Sequence, residues 1–206
     1  MNQTEQNNLY ATLTRFGDFF PLSLRSKIDL KNLEAYKWIQ YNPTKDINRE
    51  ALSITSLDGG MSGVPDLDSL YRHYKLTGMA HSEIDFTEKT EIYKYFSGWL
   101  DPIEKYLGRT HVIRLNNGGY FPPHRDNKHM DIDSFRLFSP LTYNHNDNFF
   151  MLQDKKLEFS ANQLYFIDTA LMHTVFNASD VPWYFLVVNV HLTEDSIKQT
   201  LKYITG

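Results

Sequence analysis

The chain has no cysteine among its 206 residues. That removes disulfides, thiolate metal ligands and thiol nucleophiles together. Any metal must then be held by histidine and carboxylate, a donor set that favours iron, manganese or zinc over softer ions. The net charge is -4, from 21 Lys and Arg against 25 Asp and Glu, and no basic run stands out, so nothing points to nucleic acid. No apolar run is long enough to span a bilayer and no signal-peptide pattern is present. The expectation is a soluble, cytoplasmic protein without a membrane partner. No repeat, linker or low-complexity tract divides the chain, so a single domain over residues 1–206 is expected, large enough to bury a sizeable core.

Aromatic residues are plentiful instead, with 14 Phe and 13 Tyr making up most of a 15% share, which suits a β-rich interior. Residues 1–109 read as a helical and strand part. After an Asn/Gln-rich opening expected to fray, Leu9, Leu13 and Phe16 recur at near-helical spacing. Trp38–Tyr41 and Ala51–Thr55 read as short strands, separated by the turn-prone Asn42-Pro43. Asp66 is placed to cap a short helix carrying Leu67, Leu70, Tyr71 and Tyr74. A longer helix is expected from Glu88 to Leu107, capped by Thr87 and kinked at Pro102, with Ile92, Tyr95, Phe96, Trp99, Leu100, Ile103 and Leu107 as its buried stripe. From Thr110 the texture changes to short apolar runs: Val112–Leu115, Phe135–Leu141, Phe149–Leu152, Lys156–Phe159, Gln163–Ile167, His173–Phe176 and Trp183–Leu192, with a hairpin turn at Asp154-Lys155. Many short, closely spaced strands imply a sandwich or barrel, and a ligand-bearing one suggests a jelly roll. The fold expected is mainly β with flanking helices: a jelly-roll core over residues 110–192 and a C-terminal helix in 193–206 with Ile197, Leu201 and Ile204 inward.

The chemistry centres on Gly118-Gly119-Tyr120-Phe121-Pro122-Pro123-His124-Arg125-Asp126. In an extended strand alternate side chains share a face, so His124 and Asp126 point together, about 7 Å apart along the strand, while Arg125 points away. His173, opening the strand-like His173–Phe176, supplies a third donor. Two histidines and one carboxylate on one face of an ion leave the other face open, as in the facial triad of non-haem Fe(II) oxygenases. The same three residues on zinc would instead activate water, and a lone His-x-Asp is often a surface ion pair. His173 alone would pass for a core histidine. Asp168 reads as a turn residue, with a bond to a metal-binding histidine as the alternative. Arg136 lies inside an apolar strand and needs a partner if buried; that partner is a ligand carboxylate, or Asp131 or Asp133. Arg114 either anchors a carboxylate or faces solvent. Asn177 and Asn189 read as backbone-satisfying, Tyr120 as packing, and His129, His145 and His191 as ordinary histidines.

The runs Gly-Gly-Tyr-Phe-Pro-Pro-His-Arg-Asp, Arg-Leu-Phe-Ser-Pro-Leu and Phe-Ile-Asp-Thr-x-x-x-His-Thr-Val-Phe-Asn resemble the Fe(II)/2-oxoglutarate-dependent dioxygenases, specifically the aspartyl/asparaginyl β-hydroxylase-like branch that includes proline hydroxylases. The resemblance spans residues 110–192. It implies a double-stranded β-helix, the jelly-roll, cupin-like core. It implies Fe(II) on His124, Asp126 and His173, with 2-oxoglutarate held by Arg136 and O₂ as the oxidant. The implied reaction is hydroxylation of an unactivated C–H bond of an amino acid or of a peptide or protein residue, coupled to decarboxylation of 2-oxoglutarate. Because Asp126 is present, hydroxylation is favoured over halogenation. One departure stands out: the branch carries an arginine about ten positions after the distal histidine, where this chain has Trp183. No Lys or Arg lies between His173 and His191. The anchor has therefore moved to Arg136 or Arg114, or the cosubstrate differs. A zinc enzyme and a non-catalytic jelly-roll binding module are the competing readings.

Overall fold

Residues 3–41, 47–61, 74–126, 132–142 and 146–204 are described by a computed structural model. A helix from Gln3 to Thr14 opens the chain and turns Tyr10 and Leu13 inward. It starts by the third residue instead of fraying, and Phe16, beyond its end, is 53% exposed. Strands β1 (Phe19–Arg25), β2 (Ile39–Gln40), β3 (Arg49–Ser53), β4 (Thr55–Ser56) and β5 (Glu88–Lys89) follow. Asn42-Pro43 and most of the expected helix after Asp66, including Leu67, Leu70 and Tyr71, lie outside the described residues, as do His129, Asp131 and His145.

From Leu107 onward come β6 (Leu107–Leu115), β7 (Tyr120–His124), β8 (Ser134–Pro140), β9 (Asn148–Leu152), β10 (Lys155–Lys156), β11 (Gln163–Ile167), β12 (His173–Asn177) and β13 (Trp183–His191); β7 carries the glycine-turn segment and is not one of the apolar runs, and of the run Lys156–Phe159 only Lys156 is strand. They alternate between two antiparallel sheets. The larger has the order β1-β11-β8-β13-β6-β3-β2 and the smaller β10-β9-β12-β7. The winding β6, β7, β8, then β9 with β10, then β11, β12 and β13, crossing each time to the other sheet, is a double-stranded β-helix, as expected. The hairpin turn sits one residue earlier than expected. Leu152 pairs with Lys155, so Gln153-Asp154 is the loop, with Gln153 at φ 54°.

Burial follows the layering. The larger sheet is covered on both faces: helical segments pack Phe96, Trp99 and Leu100 against Leu52, Val112 and Leu186 on its outer side, and Ile113, Phe138 and Phe185 face the smaller sheet. Every position of β11 is therefore buried, which explains an apolar run without alternation. The smaller sheet turns one side to solvent, and Tyr120 and Phe176 are half-exposed there.

The long helix expected over Glu88–Leu107 does not form. The segment is β5, a 3-10 turn at Tyr93–Tyr95, one α-turn at Ser97–Leu100 and a 3-10 stretch at Asp101–Tyr106, after which Leu107 opens β6. Pro102 lacks the N–H that a continuous helix needs, and Thr90 donates its hydroxyl to the carbonyl oxygens of Ser53 and Ile54, drawing the chain onto β4 instead. The buried stripe is nonetheless real for the most part: Ile92, Phe96, Trp99 and Leu100 are fully buried and Ile103 and Leu107 nearly so, while Tyr93 is buried in place of Tyr95. The C-terminal helix spans Glu194–Leu201, with Thr193 as its N-cap accepting from the Ser196 N–H at 3.1 Å. It ends before Ile204, which instead bridges to Leu22. No helix among the described residues is long and apolar enough to cross a membrane.

The β6–β7 loop demands its glycines. Gly118 has φ +70°, and a Cβ on Gly119 would lie 2.5 Å from the Asn48 carbonyl oxygen and 2.8 Å from that of Asn116. Gly119→Ala is expected to cost about 1–3 kcal/mol by overpacking, read as a lower thermal unfolding midpoint. An unchanged midpoint would mean that the loop shifts freely.

Candidate metal centre

His124 ends β7 and lies directly opposite His173, the first residue of β12. The cross-strand register thus brings together two imidazoles that are 49 positions apart in sequence, their ring centroids 4.2 Å from one another. Asp126 is not on the strand, as the alternation argument has it, but in the turn just after it, where its backbone N–H donates to the Thr169 carbonyl at 2.9 Å. The three side chains still converge. One ligand atom from each lies within 4.8 Å of the others, and His124 Nε2 is 3.6 Å from Asp126 Oδ1.

Backbone carbonyls fix which ring nitrogens are offered. His124 Nδ1 is 2.7 Å from the Pro122 carbonyl oxygen and His173 Nδ1 is 3.0 Å from that of Leu171. A carbonyl oxygen only accepts, so both Nδ1 atoms carry the proton and both Nε2 lone pairs are left for an ion. Arg136 Nε donates to Asp126 Oδ2, leaving Oδ1 on the side of the histidines. Burial pushes the Asp126 carboxyl up, but Arg136, then His173 and His124, outweigh it and hold the group below its ordinary value. Burial likewise lowers His173, against the pull of Asp126. Two neutral imidazoles and one ionised carboxylate are the protonation states that metal binding requires. The set fits a divalent first-row ion such as Fe(II).

The triad opens into a cavity of about 300 Å³ whose apolar wall includes Phe121, Phe138, Phe150, Val175 and Phe185. Arg49, Arg109 and Arg136 also line it, against a single acid, Asp126. Behind them Glu83 accepts from Arg109 Nη2 at 2.6 Å and from Arg136 Nη2 at 3.0 and 3.1 Å.

Comparison with known proteins adds neighbours of this shape but no family. No family profile matches the chain and no curated protein does. Among solved structures, a 2OG-Fe(II) oxygenase family oxidoreductase from Burkholderia pseudomallei is 12% identical with a TM-score of 0.49, covering 94% of this chain and 92% of its own. A non-heme monooxygenase in complex with nickel is 13% identical over 46% of this chain and 50% of its own, TM-score 0.37. A predicted oxalate decarboxylase from Thermotoga maritima is 17% identical over 45% of this chain and 73% of its own, TM-score 0.34. At these identities the functional argument rests on the side chains of this chain.

The candidate cations take different places. Arg136 does reach the cavity, but its partners are Asp126 and Glu83. Asp133 instead accepts from the Ser82 hydroxyl. Arg114 does not reach it. Strand β6 turns Arg109, His111 and Ile113 inward, so alternation sends Arg114 to the other face. There Arg114 holds Glu50 at 2.6 and 2.9 Å and stacks 4.5 Å over Trp38. Trp183, at the position where an arginine was expected, is fully buried against Phe138 and Phe185.

Two cavity arginines escaped the sequence reading. Arg109 is 3% exposed and Arg49 is 7% exposed, the latter lying 3.9 Å over the Phe121 ring and donating to the Tyr120 carbonyl at 3.3 Å. A signal for Arg109 was present: Arg109 and His111 share strand parity with Ile113 on β6. Asn177 and Asn189 satisfy backbone carbonyls as expected, at Leu115 and Arg109 respectively.

Asp168 is a turn acid that also ties the N-terminal helix to the site. It accepts from Tyr10 Oη at 2.7 Å and from the Ala170 N–H at 3.1 Å, and the next carbonyl, Thr169, anchors Asp126. Burial raises the Asp168 carboxyl, opposed by the bond from Tyr10. Tyr10→Phe removes a donor to a buried acceptor, so a loss of about 1–3 kcal/mol is expected in chemical denaturation. An unchanged denaturation midpoint would mean that the Tyr10 hydroxyl does not hold this turn.

Proposed function

We propose that this protein is a non-haem Fe(II) oxygenase that uses 2-oxoglutarate and O₂ to hydroxylate a C–H bond of an amino acid or of a peptide residue. The observation that carries the reading is the donor set: two Nε2 lone pairs and one carboxylate oxygen, each oriented by a partner on its other side, converging beside an open cavity that is otherwise cationic. His124 Nε2, Asp126 Oδ1 and His173 Nε2 would hold the iron.

Bound there, iron and 2-oxoglutarate supply redox chemistry in which O₂ takes two electrons from decarboxylation of the oxo acid to succinate and CO₂ and two from the substrate C–H bond, which becomes C–OH. The chain supplies the rest. Arg136 fixes the rotamer of Asp126, so the carboxylate presents one oxygen to the metal and keeps the other occupied. The phenylalanine wall excludes water and positions the aliphatic part of a bound molecule. Three arginines line the cavity beside Asp126, two of them also bonded to Glu83 behind the wall, and such a lining suits a dianionic cosubstrate better than a neutral one. A zinc hydrolase would have no use for those cations unless its substrate were itself anionic.

The test is an anaerobic titration of the metal-free protein with Fe(II) and then 2-oxoglutarate, followed in the visible. A weak charge-transfer band that needs both additions supports chelation of the 2-oxo acid at the triad metal. Iron binding without a band removes 2-oxoglutarate from the reading. No metal binding at all removes the enzyme and leaves a jelly-roll binding module.

A further inference from the structure

His111 lines the cavity outside the group of three donors. It stands on β6 with Val187 of β13 on one side and Ser53 of β3 on the other, it is 1% exposed, and it lines the cavity. Neither ring nitrogen has a hydrogen-bond partner among the described residues. The ring packs 5.5 Å from that of Tyr41. Leaving both nitrogens of a buried imidazole without a partner is costly, so an arrangement of this kind calls for a partner from outside the chain.

The surroundings say which chemistry that partner has. Two residues before His111 on the same strand face is Arg109, and Arg49 and Arg136 complete the polar wall. Those arginines make bonds within the protein, Arg109 and Arg136 sharing Glu83. Arg49 adds a third cation to this wall. Burial, and then the charges of Arg109 and Arg136, keep His111 neutral, with one N–H to give and one lone pair to fill. An anion that accepts from the N–H meets the idle donor beside these cations.

We propose that His111 is a binding residue of a carboxylate subsite on the inner wall of the larger sheet, donating a ring N–H to a ligand carboxylate beside Arg109. This rests on the reading of the cavity as a 2-oxo acid site only for the identity of the ligand. The carboxylate belongs either to the far end of the cosubstrate or to the substrate, and the subsite would take over the part of the arginine that Trp183 replaces, or recognise an acidic substrate.

The probes are 2-oxoglutarate, 2-oxovalerate (the same chain with a methyl group in place of the far carboxylate) and succinate, each titrated calorimetrically into Mn(II)-loaded wild type, His111→Leu and His111→Gln. Thermal melts check that each variant is folded. Leu fills the space without a donor, and Gln restores an N–H. If the cosubstrate supplies the carboxylate, wild type prefers 2-oxoglutarate over 2-oxovalerate by at least about tenfold, a typical increment for a charge-assisted hydrogen bond. His111→Leu erases that preference without weakening 2-oxovalerate, and His111→Gln restores part of it. If the substrate supplies it, the preference between oxo acids survives in His111→Leu, whereas succinate added to the 2-oxoglutarate-saturated protein binds wild type and His111→Gln but not His111→Leu. The subsite is overturned if His111→Leu leaves every one of these affinities within about twofold of wild type. A failure of the function proposal looks different. No oxo acid then binds the metal-loaded wild type, and succinate binding to the metal-free protein decides the subsite: sensitivity to His111→Leu supports it, and absence of binding overturns it.

Discussion

His173→Ala is expected to lower the affinity for Mn(II) or Fe(II) by more than about 100-fold. Changes to groups that merely orient metal ligands cost about 10–100-fold, and this one removes a donor outright from a set of three. Its Nδ1 proton is held by the Leu171 carbonyl and its ring lies against His124 and Phe150, so the lost lone pair comes from a ring that is already aimed. Two ligands remain, and neither can spread to cover the vacated position: Asp126 is held by Arg136, and His124 by the Pro122 carbonyl. The fold should survive, because β12 keeps its pairing with both β7 and β9 through the backbone. Calorimetric titration with Mn(II), alongside a thermal melt, measures both. Retained affinity in a folded His173→Ala protein would sink the triad.

Arg136→Leu should have the largest effect on stability. The guanidinium is the common partner of Asp126 and Glu83, and the side chains of all three are mostly buried, 16%, 11% and 12% exposed. Removing one member of a buried ion pair costs about 3–5 kcal/mol, because the other charge stays behind without compensation. In a chain of this length that corresponds to a fall of about 6–20 °C in unfolding midpoint, at about 2–4 °C per kcal/mol. Glu83 keeps Arg109, so Asp126 is the group that suffers most.

The pH dependence gives the sign. In the metal-free wild type Asp126 is held below its ordinary value, so its contribution is present above that value and is lost as pH falls through the depressed one. Without Arg136, burial acts on Asp126 with less opposition and its carboxyl rises. The variant then regains stability on protonation, so its deficit against wild type narrows between pH 7 and pH 5. A gap that stays constant or widens over that range would show that Asp126 is not left uncompensated.

Much of this centre is legible along the chain because its chemistry is local. A glycine turn, two prolines and His-x-Asp mark one donor pair, and a histidine opening a strand marks the third. The apolar runs give most strands of the jelly roll, although the run Lys156–Phe159 is strand only at Lys156 and β6 begins at Leu107, five residues before Val112, and the buried stripe from Ile92 to Ile103 gives the right face of the wrong backbone. Tertiary bonds from Thr90 and the break at Pro102 decided what that stripe would hang on. Arg114 and Arg136 look alike in sequence, each a cation inside an apolar strand, yet one faces outward to Glu50 and the other inward to Asp126.

The sequence by itself therefore picked out the three candidate donors and the class of fold, the donors from residue chemistry and the fold from short, closely spaced apolar runs, whereas Asp126 reaches the group from a turn and not through strand alternation. Only the tertiary structure decided the cationic wall. Which parity of β6 looks inward depends on its pairing with β3 and β13, and Glu83, the acid that binds Arg109 and Arg136 together, arrives from a 3-10 turn capped by Ser82 and distant from them in sequence. Trp183 and His111 exchange the roles that their residue types suggest, for the same reason. Trp183 at the start of β13 is packed into the core, and His111 in the middle of β6 is left facing the cavity with two unused nitrogens.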